Sequence, residues 1–92
     1  MPTEQILAIL KVDLQINATA YDDYLTGLIN ASAERIVTEG IELDFSRNDD
    51  IYLIEMYAAY LYRTRREVSG PGMPRSLRWA LNNRLFSQKA AQ

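Results

Sequence analysis

Apolar positions recur at helical spacing in four stretches of the sequence, and alternate strictly in one short stretch. The first helical stretch holds Ile6, Leu7, Ile9 and Leu10 behind the cap candidate Thr3, and "VDLQIN" is expected to interrupt it. The second runs from about Tyr21 to Glu39 on a stripe of Tyr21, Leu25, Leu28, Ile29 and Ile36, with Ser32 in register. Thr19 and Asp22 make a capping-box start, and Gly40 supplies a left-handed stop. Gly27 inside this helix costs roughly 1 kcal/mol against alanine, which close packing of another backbone would offset. "IELDFS" then alternates Ile41, Leu43 and Phe45 with Glu42 and Asp44, predicting a brief extended segment with one side buried. Ser46 and Asp49 repeat the capping signal, with Asp49 and Asp50 at the positive end of the next helix dipole.

In the third helix, Ile51 to Tyr62, only Glu55 is charged, so the helix must be covered on more than one side. Its tyrosines, Tyr52, Tyr57, Tyr60 and Tyr62, point in several directions. They either face another subunit, which suits an apolar ring with a polar tip, or sit at the rim of the core with their hydroxyls in water. "VSGPGMP" reads as a loop, because glycine permits positive φ and proline forbids continued helix. Gly70, Pro71, Gly72 and Pro74 form this hinge, with Pro74 placed as first residue of a fourth helix to about Phe86. There Leu77, Ala80, Leu81, Arg84 and Leu85 share one side, and Trp79 and Phe86 share another. The expected fold is all-α: a compact bundle of about four helices, residues 1–86, with a flexible Gly/Pro loop before the last helix and a mobile tail, 87–92.

The 92 residues contain no cysteine and no histidine, which removes disulfides, thiolate chemistry and the usual zinc ligands. A domain this small has modest stability alone, so partner subunits remain as a source of more. No basic region precedes the first apolar run, so no secretory leader is expected, and no apolar run reaches membrane-spanning length. The net charge of −2 conceals a split. Residues 1–62 hold eleven acids against Lys11, Arg35 and Arg47, whereas residues 63–92 hold seven bases against Glu67. Such polarity fits an electrostatic partner or head-to-tail contact between copies.

Candidate chemistry is sparse. Asp44 to Glu55 places oxygen-bearing side chains as an EF-hand calcium loop does, but Asp49 stands where the sharp turn needs glycine, which favours helix capping. The neighbouring pairs Asp22-Asp23 and Asp49-Asp50 point apart on a helix, and "SGPGMP" lacks the lysine of a phosphate loop. An enzyme, a metal or a cofactor is not expected. The cluster Arg63, Arg65, Arg66, Arg75, Arg78 and Arg84 exceeds what the negative end of one helix needs. The long irregular connection before the fourth helix departs from a helix-turn-helix reader and favours subunit contact over base reading. Candidate interface residues are Tyr52, Tyr60, Arg63, Arg65, Arg66, Trp79 and Phe86, although Trp79 equally suits the monomer core.

Four segments in order, "LKVD" (Leu10 to Asp13), "DDYLTGLINASAERIVTEG", "LYRTRRE" and "MPRSLRWALNNRLF", resemble the small head-tail connector, or adaptor, proteins of long-tailed bacteriophages. The likeness spans roughly Leu7 to Phe86, with Leu61, Tyr62 and Arg65 matching one pattern and Pro74, Leu77, Leu81 and Arg84 another. Ala80 and Asn82-Asn83 depart from it. The resemblance implies a structural virion protein: an all-helical subunit forming a ring, twelvefold in the virion, at the head-tail junction, after assembly in the host cytoplasm. Its implied partners are further copies of itself, the portal protein and a tail-side stopper or completion protein. DNA would pass through the channel without sequence-specific binding, and no membrane is involved. Acidic and basic faces would then meet between neighbours in the ring, and the hinge would re-aim the last helix. The alternative is a small helical DNA-binding regulatory protein.

Overall fold

The structure, a computed structural model, describes residues 1–67 and 72–91 and is all-helical. The described residues form α1 (Thr3–Leu14), a single 3-10 turn (Thr19–Tyr21), α2 (Asp22–Thr38), α3 (Asn48–Arg63) and α4 (Arg75–Ala90). Of the expected hinge, Gly70 and Pro71 lie outside the described residues, as does Gln92 at the end of the tail. Gly72 is exposed at φ 81° with open space around it, the left-handed conformation anticipated for that loop. No helix among the described residues is long and apolar enough to cross a membrane.

α3 is the central element and packs against α1, α2 and α4. The core joins Ile6 and Leu10 of α1, Leu25, Ile29 and Ile36 of α2, Ile51, Leu53, Ile54, Tyr57, Ala58 and Ala59 of α3, and Leu77 and Leu81 of α4. Ile41 closes it from the α2–α3 connection. Most of these are residues the 3.6-residue spacing selects, but Tyr21, expected to open the α2 stripe, sits in the 3-10 turn and is 50% exposed, and Leu7, Ile9 and Leu28 are only partly buried.

Several element ends differ from the pattern. α1 runs through Val12, Asp13 and Leu14 before Gln15 turns left-handed at φ 57°. The polar residues there have partners elsewhere in the fold, Lys11 on Asp22 and Asp13 on Arg63, so they do not stop the helix. Neither expected capping box forms. Thr19 opens the 3-10 turn, and the Ser46 hydroxyl donates to Asp44 Oδ1 at 2.6 Å and caps nothing. Gly40 does end α2, at φ 99°, donating its N–H to the Val37 carbonyl. Gly27 has open space where a close neighbour was expected, so nothing offsets its helix cost.

Of the three alternating residues after Gly40, Ile41 is buried and Leu43 half-buried, whereas Phe45 is 40% exposed. Pro74 is the residue before α4, with its carbonyl accepting from the Arg78 N–H. α4 then continues to Ala90, past the Phe86 end expected from the sequence, because the Gln88 side chain is anchored to Gly40 and Glu42.

Candidate functional site

α4 is seated through one stripe. Leu77 and Leu81 are buried, and Ala80, Arg84 and Leu85 are partly buried, on the side that faces α3 and the connection at Gly40, where Leu85 Cδ1 approaches. The opposite stripe meets water: Trp79 is 69% and Phe86 74% exposed. Trp79 therefore does not complete the monomer core. Together with Tyr52 and Leu53 of α3 it walls a cleft that also takes in Met56, Arg47 and Asn83. Trp79 also lines a second hollow with Met56, Arg75, Arg78 and Asn82. It thus lines two hollows, with arginines in the lining of both.

What fixes this face is ionic. Asp50, fully buried at the start of α3, accepts from Arg84 Nε at 2.7 Å and from its Nη2 at 3.0 Å. Asp50 Oδ2 also accepts the Asp44 N–H at 2.8 Å, and Arg84 donates to the Glu42 carbonyl at 2.8 Å. The carboxylate beside it holds the Arg84 guanidinium above its ordinary pKa, first through the hydrogen bonds. A bidentate, charge-assisted pair of this kind sets orientation as well as energy. Arg78 makes a second tie, to Glu39 at 2.7 Å, at the end of α2.

The charge split is therefore partly used within the chain. Arg63, Arg78 and Arg84 of the basic half pair with Asp13, Glu39 and Asp50 of the acidic half. Arg65 lies over the Tyr62 ring, 3.7 Å from its centre, and donates to the Tyr62 carbonyl. Arg66 and Arg75 have no acidic partner among the described residues.

The seven interface candidates thus separate into two places. Tyr52, 51% exposed, and Trp79 share the α3–α4 cleft, and Phe86 continues the α4 face. Tyr60 and Arg63 line another cleft with Asp13, Gly72, Pro74 and Leu77, while Arg65 and Arg66 are exposed around the end of α3. Tyr60 is half-buried, edge-on to the buried Tyr57 at 6.0 Å between ring centres.

Beneath this second cleft lies a carboxyl pair that the sequence reading did not assign. Glu55 is only 6% exposed on α3, and its Oε2 has no hydrogen-bond partner. Burial, followed by the hydrogen bond to Asp13 and repulsion from it, pushes Glu55 up to about 8, against the pull of Arg63. Asp13 moves down, first through the hydrogen bond from Glu55 and further through Arg63, 3.1 Å away. The two acids thus shift in opposite directions beside an arginine. The only charged side chain between Ile51 and Tyr62 was the available signal.

The described residues hold no cluster of three or more His, Cys, Asp or Glu side chains fit for a metal ion. The calcium-like spacing from Asp44 is instead occupied by the Ser46, Asp50 and Arg84 contacts. Comparison with known proteins found no matching family model, no matching curated protein and no matching solved structure.

Proposed function

We propose that this chain is a structural subunit of a tailed-phage virion, a head-tail connector that forms a ring under the portal and presents a surface for the tail. The outer face of α4 carries this reading. A small helical domain holds its last helix by one stripe and an ionic lock, leaving Trp79 and Phe86 on the other stripe for a further surface to cover. Tryptophan, tyrosine, phenylalanine, methionine and arginine are the residues enriched where proteins meet, and Tyr52, Met56, Trp79 and Arg75 stand together here. The ordered motifs from Leu10 to Phe86 supply the virion context by resemblance.

One observation favours a second reading, a small DNA-binding regulator: α4 carries Arg75, Arg78, Arg84 and Lys89 and no acid. Arg84 and Arg78 are already paired, which leaves two cations for phosphate. The test is co-sedimentation of the purified chain with purified portal rings of long-tailed phages, in parallel with DNA titration at low and moderate salt. Capture by portal rings with weak DNA binding is expected. Tight, steeply salt-dependent DNA binding by a monomer or dimer without portal capture would establish the regulator.

A further inference from the structure

A groove on the outer side of α2 complements the α4 face. It is lined by Ala33, Glu34, Val37, Thr38, Leu43 and Phe45, with Val37 55% and Phe45 40% exposed. No basic residue lines it. Glu34 and Glu42 form no salt bridge among the described residues, and Asp44 beside Phe45 is held below its ordinary pKa by its Ser46 hydrogen bonds. The α4 face has the opposite character, with two exposed aromatic side chains, the unpaired cations Arg75 and Lys89, and no acid on the helix.

Both α2 and α4 pack on α3, and the connection from Gly40 to Phe45 runs between them. The knob therefore belongs to α4, and the groove to α2 and the connection that follows it. Two unlike patches are satisfied in a two-fold dimer only where both can meet reciprocally; otherwise the pairing repeats head to tail and closes as a ring if the rotation allows.

We propose that the Trp79–Phe86 face of one copy seats in the acidic Val37–Phe45 groove of a second copy. This rests on the connector reading and names its self-contact. The apolar centre supplies contact area, and Arg75 and Lys89 facing Glu34 and Glu42 set direction and reject a groove-to-groove approach.

Mixing two full-length variants tests it, each lacking one half. Trp79→Ala/Phe86→Ala removes the knob and Val37→Lys charges the groove, all at exposed positions, and circular dichroism would check that helical content and midpoint are kept. In light scattering, wild type should form oligomers, each variant alone should be monomeric, and the equimolar mixture should stop at a dimer through its one intact pair of surfaces. Wild type that stays monomeric at high concentration would overturn the proposal. So would a variant that assembles like wild type, or two monomeric variants that fail to dimerise on mixing. Portal capture is read separately, so a monomer that still binds portal rings removes this contact while leaving the connector function standing.

Discussion

α3 and α4 are both sixteen residues long and have opposite relations to water. α3 is enclosed by three neighbours and buries eight of its side chains, including the two acids Asp50 and Glu55. α4 buries only Leu77 and Leu81, and its large aromatic side chains face out. An enclosed helix derives its place from apolar area. A helix seated on one stripe needs something directional, which here is Arg84 reaching the buried Asp50. The polar groups in the interior are thus where the two helices are tied to the rest, Glu55 joining α3 to α1 and Asp50 joining α3 to α4.

The sharpest way to break the contrast is Arg84→Ala. It leaves a buried carboxylate uncompensated, which costs about 3–5 kcal/mol. Chemical denaturation should show that loss, and hydrogen exchange should show α4 opening first while α3 stays protected. Equal loss of protection in both helices would mean that α4 is as integral to the core as α3.

A smaller effect, readable as a slope, comes from Glu55→Gln. An acid whose folded pKa lies above its unfolded value stabilises the fold fully below the unfolded value, ordinarily 4.5, and loses that contribution as pH rises toward about 8. Asp13, shifted down, acts in the opposite sense and loses its contribution as pH falls through its lowered value. Wild-type stability should therefore decline between about 4.5 and 8. The glutamine, which still donates to Asp13 and carries no charge, should flatten that decline and melt higher than wild type at alkaline pH. An unchanged slope in thermal melts across this range would place the proton elsewhere.

The smallest effect belongs to Trp79→Ala on the monomer, within about 0.5 kcal/mol as for other exposed substitutions. Thermal unfolding at a concentration where wild type is monomeric checks it. A large fall would show that Trp79 is packed against the chain after all and would erase the difference between the two stripes of α4.

Most of the fold was legible because it depends on periodicity. The stripes of α1, α2 and α4 and the near-continuous run of α3 name most of the buried residues in advance, whereas Tyr21 of the α2 stripe lies exposed in the 3-10 turn before the helix. Helix ends were less so. Thr19 and Ser46 have the chemistry of caps, yet Ser46 answers to Asp44, two residues away, and local motifs do not reveal such competition. The candidate face was half legible: seven residues between Trp79 and Phe86 put both on one side of α4, but sequence could not choose between core and surface for that side. The long-range pairs were illegible. Nothing in the spacing of Asp13, Glu39 or Asp50 announces Arg63, Arg78 or Arg84 as partners, because those pairings are 34 to 50 residues apart and exist only once the helices are packed.

The connection after Gly40 carries one more implication. The Gly40 carbonyl, both backbone polar groups of Glu42 and the Asp44 N–H are taken by Gln88, Arg84 and Asp50 side chains. Alternate residues of a strand present these groups along one edge, where a neighbouring strand would ordinarily bind. Three side chains stand in for that strand. The edge is closed against templated strand addition, so a foreign peptide could pair there only by releasing the Arg84 lock and the Gln88 anchor together. The chain is thereby guarded at this edge from a common route to aggregation, while its helix faces stay free to associate.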